Sequence, residues 1–390
     1  MTVDIIEGDA LTELRLLPDE SVHCVVTSPP YFGLRDYGVA GQIGLEPTPA
    51  EFVAVMVEVF REVRRVLRKD GTLWLNLGDS YARQGGTQGG GNRELLHLEG
   101  KQRRMGALVS GLKEKDLIGI PWRVAFALQA DGWYLRQDII WSKPNPMPES
   151  VTDRCTKAHE YLFLLSKSAR YHYDAEAIKE PAVADHPSGN GYKRDARKTY
   201  QNGDGSPRGN DEQWKGVDGT RNRRSVWTVT TKPFKEAHFA TFPPDLIEPC
   251  IKAGCPRDCC AKCGAPLLRQ TSRGVDAKQV NGSSLDRFGT GDAGVHRKVG
   301  GQYQKWLDEN PKITTGWLPS CSCDADLVRG TVLDPFAGAG TTGMVADRLQ
   351  RDAILIELNP KYADMAERRI IADKARRATV VDAAIRPGAG

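Results

Sequence analysis

The sequence predicts an α/β fold: a mostly parallel sheet with helices on both faces, assembled in circularly permuted order. Three observations carry this. The apolar run Val22-His23-Cys24-Val25-Val26 is bounded by turn residues and reads as a buried parallel strand. A second strand around Val332-Leu333-Asp334 runs into Gly338-Ala339-Gly340-Thr341-Thr342-Gly343, a G-x-G-x-x-G that opens a helix. Only about 60 residues remain from Val332 onward, so the other strands of this sheet must come from the N-terminal half.

The elements follow in order. Val3 to Ile6 is a short strand ending at Glu7-Gly8-Asp9. Asp9 either points into the crevice beyond the strand or caps a helix over Leu11 to Leu17. After the strand at Val22 comes Thr27-Ser28-Pro29-Pro30-Tyr31. Two prolines cannot continue a ladder and fix φ near −65°. The stiff turn presents a hydroxyl, carbonyls and a ring where ligands bind in open α/β sheets. By itself, such a turn is also an ordinary strand ending. Phe32 to Gly38 is a polar-aromatic loop. Glu51 to Lys69 carries apolar residues at three- and four-residue steps (Phe52, Val55, Met56, Val59, Phe60, Val63, Leu67) and predicts a core helix stopped by Asp70-Gly71. Thr72 to Leu77 is the next strand. Residues 82–118 are rich in glycine, with Arg93, Lys101, Arg103 and Arg104, and read as a loop, either closing over a ligand or lying on the surface. Pro121 opens a helix that ends at Asp131-Gly132. Tyr134 to Trp141 and His159 to Leu165 are strands flanking the rigid turn Ser142 to Pro148.

With 390 residues, 40% of them hydrophobic, the chain has enough apolar mass for a large core. Met1 to Glu7 lacks a basic segment followed by an apolar one, so no signal peptide is expected. No apolar run approaches the ~20 residues needed to span a bilayer. The expectation is a soluble, cytoplasmic protein with no membrane partner. The formal net charge of +4 excludes a generally basic nucleic-acid coat. Between His186 and Ser225, however, nine Lys/Arg stand against five Asp/Glu, an excess equal to that of the whole chain. Tyr192, Tyr200 and Trp214 are interspersed there. That composition suits phosphate contact and base stacking, and it also suits a solvated linker. Arg221-Asn222-Arg223-Arg224-Ser225-Val226-Trp227 is its sharpest part, with Arg221, Arg223 and Arg224 running into an apolar anchor.

Nine cysteines in an intracellular chain suggest metal more than disulfides. Cys260-Ala261-Lys262-Cys263-Gly264 has knuckle spacing, and Cys321-Ser322-Cys323 offers a second pair. Cys260, Cys263, Cys321 and Cys323 form a candidate structural zinc site, with Cys259 or Cys255 as substitutes and reduced free thiols as the alternative. Four thiolates leave no open position, so the role is structural. Cys250 follows a proline within an amphipathic helix, Pro244 to Ala253, and is read as packing.

The strand Ala353 to Ile356 ends at Glu357, 19 residues after Gly338. Strand, glycines, helix and carboxylate together make a Rossmann-like nucleotide site, with Glu357 for the ribose hydroxyls. A last helix runs from Asn359-Pro360 to about Arg377. Asp334-Pro335-Phe336 ahead of the glycines is atypical of dinucleotide binding.

Ser28-Pro29-Pro30-Tyr31, followed far downstream by Asp334-Pro335-Phe336-Ala337-Gly338-Ala339-Gly340-Thr341-Thr342, resembles the beta-class DNA amino-methyltransferases, in which the catalytic motif precedes the cofactor motif. Gly8-Asp9, the turn from Trp141 to Pro148, and His238-Phe239-Ala240-Thr241-Phe242-Pro243 resemble the family too. The resemblance covers roughly residues 1–80, 120–180 and 225–375. It implies S-adenosylmethionine as cofactor, double-stranded DNA as partner and methylation of an exocyclic amine. It implies a cofactor set of Asp9, Phe242, Pro243, Asp334, Pro335, Phe336, Gly338, Gly340, Thr341, Thr342 and Glu357. Asp9 then meets the adenine edge, and Asp334, Phe336 and Phe242 line the pocket. The catalytic set is Ser28, Pro29, Pro30 and Tyr31, and DNA contacts fall to Lys143, Asn145, Arg221, Arg223 and Arg224. Ser in the first motif position leans toward N4 of cytosine, and N6 of adenine is the alternative. A possible homodimer and a possible partner restriction enzyme, or none, come with the family. An RNA or protein methyltransferase, or a DNA-binding module with a silent cofactor site, are the competing classes.

The expected organisation is a catalytic half over residues 1–81 and 119–182, joined by the loop 82–118. A DNA target-recognition insert follows at 183–235. The cofactor half comprises 236–254 and 326–390, interrupted by a cysteine insert at 255–325.

Overall fold

The computed structural model describes residues 2–34, 38–82, 112–181, 220–231, 242–272 and 313–385. The elements in chain order are β1 (Val3–Glu7), α1 (Ala10–Leu16), β2 (Val22–Thr27), α2 (Pro49–Val66), β3 (Leu67–Leu77), α3 (Ile120–Ala130), β4 (Tyr134–Ser142), β5 (His159–Ser166), β6 (Glu180–Pro181), β7 (Thr220–Arg221) and β8 (Val226–Thr228). They continue with α4 (Pro244–Gly254), β9 (Asp258–Cys260), β10 (Leu267–Ser272), β11 (Ile313–Pro319), β12 (Leu327–Arg329), β13 (Thr331–Asp334), α5 (Thr341–Arg348), β14 (Asp352–Glu357) and α6 (Pro360–Ile385).

Eight strands form one sheet in the order β1-β14-β13-β2-β3-β5-β4-β8. All neighbours are parallel except β5, which runs antiparallel to both β3 and β4. The permuted order expected from the sequence is visible in two pairings. Val25 of β2 lies opposite Leu333 of β13, and Val3 of β1 lies opposite Ala353 of β14. The cofactor half therefore closes its sheet on both sides with N-terminal strands.

Alternating side chains of the central strands serve two layers. Val25, Leu73 and Leu75 join Phe52, Met56, Phe60 and Val63 of α2 in the main core. Cys24, Thr72 and Trp74 point the other way, against Gly254 at the end of α4. The helix α2 starts at a full capping box, with Thr48 and Glu51 bonding each other's backbone N–H and Pro49 in the first turn. It ends at Val66, not at Lys69 as the periodicity suggests. Leu67 leaves the helix in an extended conformation, is fully buried, and begins β3. Because Val22 pairs with Leu67 and Cys24 with Thr72, residues 68–71 bulge out of the ladder. Apolar periodicity cannot separate the last helical turn from a buried strand residue that follows it directly.

Two compact units emerge: Met1–Ala177 with Arg224–Leu267 and Pro319–Gly390, and Ile178–Arg223 with Leu268–Leu318. These boundaries differ from the expected inserts, because the four candidate zinc ligands fall in the first unit. In the second unit, β6 pairs with β7, and Arg269 lies over the Trp317 ring at 4.4 Å. Arg93, Lys101, Arg103, Arg104, Tyr192, Tyr200, Trp214 and residues 232–241 lie outside the described residues. No described helix is long and apolar enough to cross a membrane.

Candidate active site

The sheet order reverses at β13, with β14 on one side and β2 on the other. A crevice opens beyond the carboxyl ends of strands at such a point. A cavity is found there, lined by Asp9 after β1, Ser28 to Tyr31 after β2, Pro335, Phe336 and Gly338 after β13, and Glu357 at the end of β14. Ala339, Thr341 and Phe242 complete the wall, and Leu34, Val39 and Ile43 cover it.

The cofactor side is built on backbone geometry. Gly340, at φ +69°, caps α5, and a Cβ there would come within 2.7 Å of the Ala366 Cβ. Close packing of α6 on the glycine turn requires that position to be bare. Glu357 receives the Gly338 N–H at 2.7 Å on Oε2 and the Asn359 N–H at 2.9 Å on Oε1. Its carboxylate is aimed before any ligand arrives, and burial raises its pKa. Asp9 does both of the things expected of it. Its Oδ1 accepts from the Thr12 backbone N–H and hydroxyl, each at 2.9 Å, capping α1, and the residue still lines the cavity.

Four residues expected to form the pocket do not line it: Asp334, Pro243, Gly340 and Thr342. Asp334 is fully buried and accepts from the hydroxyls of Thr27 at 2.7 Å and Thr342 at 2.6 Å and from the Phe336 N–H at 3.1 Å. It ties together the ends of β13 and β2 and the start of α5. Burial pushes its carboxyl up to about 6 despite those donors. Sequence spacing places such a residue beside the motif but says nothing of which way its side chain points.

The catalytic side rests on a polar cluster. The Tyr31 hydroxyl donates to Glu160 Oε2 at 2.7 Å and accepts from Asn76 Nδ2 at 2.7 Å. Asn76 Nδ2 also reaches Glu160 Oε2 at 2.9 Å, and the Ser28 hydroxyl lies 3.4 Å from the Tyr31 oxygen. Lys143 Nζ pairs with Glu160 Oε1. Gly78 abuts the Tyr31 ring, since a Cβ there would meet Cε2 at 2.5 Å. Asn76 and Glu160 went unrecognised in the sequence. Each was nonetheless marked as the polar residue in an apolar strand run, Leu73 to Leu77 and Glu160 to Leu165, where an unpaired polar group is costly.

The residues expected to contact DNA have partners within the protein. Lys143 is committed to Glu160 and sits 4.2 Å from the centre of the Trp141 ring. Asn145 clamps the Thr231 backbone, donating at 3.2 Å and accepting at 3.0 Å. Arg221 pairs with Glu180 at 2.9 Å. All three have partners within the protein, Asn145 on the surface and Lys143 and Arg221 half-buried. Arg223 is partly covered and Arg224 is exposed.

The sulfur atoms of Cys260, Cys263, Cys321 and Cys323 all lie within 4.8 Å of one another. The backbone N–H groups of Cys263 and Lys262 hold the Cys260 thiol down to about 7, while hydrogen bonds among the four sulfurs push Cys321 and Cys323 up. The substitutes are elsewhere: Cys255 and Cys259 are buried, and loss of solvent pushes both thiols up. Cys250 is buried in α4, as its packing role requires. The knuckle is moored to the sheet. Arg68 donates to the Cys263 carbonyl at 2.8 Å. His23 Nδ1 accepts from the Thr331 N–H at 3.1 Å, so the proton sits on Nε2, which faces the Gly264 carbonyl at 3.1 Å.

A family model described as DNA methylase matches residues 22–259 and 320–368. Type II methyltransferase M.Cfr9I of Citrobacter freundii is 40% identical over 371 residues, 94% of this chain and 87% of that protein. Type II methyltransferase M.SmaI of Serratia marcescens is 39% identical over 370 residues, covering 94% and 90%. The solved PvuII DNA methyltransferase (cytosine-N4-specific) shares the fold with a TM-score of 0.50 at 16% identity, over 96% of this chain and 93% of that one. The glycine turn with its poised carboxylate, the Ser-Pro-Pro-Tyr turn across the same cavity and these relatives agree: the chain belongs to the N6/N4 DNA methylase family, the S-adenosylmethionine-dependent amino-methyltransferases of DNA.

Proposed function

We propose that the protein methylates N4 of cytosine in double-stranded DNA. Ser28 carries this reading: a hydroxyl, not a carboxylate, stands at the first position of the motif and faces the cavity that Glu357 closes. The residues present fit S-adenosylmethionine, with the Glu357 carboxylate for a ribose diol, Asp9 at the adenine edge and Phe336 as an apolar wall. When bound, it supplies an electrophilic methyl group. The protein's own part is to bind, orient and accept hydrogen bonds. An exocyclic amine is a poor nucleophile because its lone pair is delocalised into the ring. The Ser28 hydroxyl oxygen and the Pro29 carbonyl accept the amino hydrogens and favour a pyramidal nitrogen, and the Tyr31 ring stacks on the base taken out of the duplex. No covalent enzyme intermediate is needed.

Arg223, Arg224 and the basic segment before them supply phosphate contacts in this reading. The four thiolates hold a structural zinc. Tetrahedral Zn–S bonds of ~2.3 Å place sulfurs under ~4 Å apart, a small contraction of the cluster seen here. A homodimer and a partner restriction enzyme belong to the same picture, and light scattering and protection of the mapped sites from cleavage test them. Single-molecule sequencing of DNA from cells expressing the protein tests the central claim. N4-methylcytosine at a fixed sequence is the expected result. N6-methyladenine overturns the base assignment, and unmodified DNA together with methylated RNA overturns the substrate.

A further inference from the structure

Glu160 faces the catalytic turn without lining its cavity. Its side chain is 16% exposed and its partner Lys143 is 17% exposed. Lys143, the Tyr31 hydroxyl and Asn76 hold its pKa below the ordinary carboxylate range despite burial, so it is ionised. An ionised carboxylate has no proton to give. The Tyr31 proton must therefore lie toward Glu160, 2.7 Å away, and the Tyr31 oxygen shows only lone pairs to its other neighbours. One of these is the amide of Asn76, a donor at 2.7 Å. Another is the Ser28 hydroxyl at 3.4 Å. Any hydrogen bond between Ser28 and Tyr31 must then run from Ser28 to Tyr31. That turns the Ser28 proton away; with Asn76 Nδ2 donating to the Ser28 oxygen at 3.4 Å, a Ser28 lone pair is left for a donor entering the cavity.

We propose that Glu160 is a positioning residue that sets the polarity of the chain Ser28→Tyr31→Glu160, so that Ser28 accepts from an amino group and rejects a carbonyl at the same place. The proposal rests on the assignment of Ser28 to the target base and adds to it the source of amino-over-oxo selectivity. With Glu160→Gln, Lys143 takes the amide oxygen and the amide N–H faces Tyr31. Asn76 Nδ2, 2.9 Å from that position, must turn its oxygen toward the new N–H, and Tyr31 accepts from the amide while its own proton is free to go to Ser28 or to Asn76. The chain loses its fixed direction, and Ser28 is no longer held to accept from the cavity.

The test uses duplexes carrying the mapped site, with either the target base or its oxo analogue (deoxyuridine for deoxycytidine, deoxyinosine for deoxyadenosine). Affinities are measured without cofactor for wild type, Glu160→Gln, Tyr31→Phe and the double variant. The easier flipping of a mispaired analogue cancels when the amino-to-oxo affinity ratio is compared between proteins. The ratio is expected to fall about tenfold or more in Glu160→Gln. Single-turnover methyl transfer is expected to slow about 10- to 100-fold, with cofactor affinity within about twofold. In the double variant, Glu160→Gln is expected to add nothing to Tyr31→Phe, because the chain is already cut. An unchanged ratio in a folded Glu160→Gln overturns the proposal, as do penalties that simply multiply in the double variant. Should Glu160→Gln fail to fold, Tyr31→Phe decides: it keeps Asn76 and Lys143 on Glu160, and an unchanged ratio there overturns the proposal equally. Absence of methyl transfer by the wild type strikes the functional reading instead, which separates the two failures.

Discussion

At the residue scale, the site depends on side chains aimed before ligands arrive. Glu357 is the clearest case, with two backbone N–H groups on its two oxygens. Glu357→Gln keeps the shape but offers only one acceptor oxygen. Calorimetric titration with S-adenosylmethionine is expected to show affinity down about 10- to 100-fold, the range for a hydrogen bond to a charged group, with the melting temperature little changed. Gly78 tests the other side. A methyl group there meets the Tyr31 ring at 2.5 Å, so Gly78→Ala must displace the ring. Methyl transfer is expected to fall by an order of magnitude or more while cofactor binding stays. Equal loss of both would mean that the ring positions the cofactor and not the base.

At the element scale, the knuckle and the catalytic turn hang from opposite ends of β2. His23 holds the knuckle, and Ser28 lies five residues on, roughly 16 Å along an extended strand. Removing the metal with a chelator is therefore expected to lower the melting temperature and leave cofactor affinity within about twofold. Elemental analysis should find about one zinc per chain. His23 also makes the mooring sensitive to pH. Burial, with Arg68 nearby, lowers its pKa from 6.5 to about 4, and Thr331 requires the neutral ring. Between those values the unfolded chain binds the extra proton, so the stabilising contribution is complete above about pH 6.5 and lost as pH falls toward 4. Its size is on the order of 3 kcal/mol. Asp334 runs the opposite way over a similar range. Its raised pKa of about 6 means protons bound in the folded state, so its contribution is largest at low pH and lost as pH rises to 6. The total curve masks both effects. Denaturant unfolding of wild type against His23→Gln exposes the first: the wild type's advantage should shrink from pH 7 to pH 4, and a constant difference would contradict the neutral state assigned to the buried ring.

At the scale of the whole molecule, the permuted order makes the cofactor half dependent on the N-terminus. Strands β13 and β14 are flanked by β2 and β1, from the other end of the chain. The fragment 326–390 contains the whole glycine motif but has neither flanking strand. Circular dichroism of that fragment is expected to show no cooperative thermal transition, because two strands of the main sheet, the short β12 and two helices bury too little surface. A cooperative melt would show that the half is autonomous. The boundaries of strands and helices were largely legible in the sequence because burial period and turn residues are local signals. Leu67 shows the limit, a residue whose apolar character suits both helix and strand. Lys143 and Asn145 show another: a cation and an amide on a rigid turn give no sign along the chain that Glu160 and the Thr231 backbone are their partners.

The sequence by itself determined the fold class, the inverted order of the two motifs, the four-cysteine cluster and the family. Each follows from patterns along the chain: a strand before glycines, a carboxylate at a fixed distance after them, paired thiols. Only the tertiary structure decided that Asp334 is a latch and not a pocket wall, and that Glu160 and Asn76 stand behind Ser28 and Tyr31. Those facts depend on residues from distant parts of the chain meeting at one sheet edge, and on hydrogen-bond directions that exist only once a buried charge has its partners. The turn from Ser28 to Tyr31 is legible as a motif, and what orients its hydroxyl lies 129 residues beyond Tyr31, on the strand next to β3.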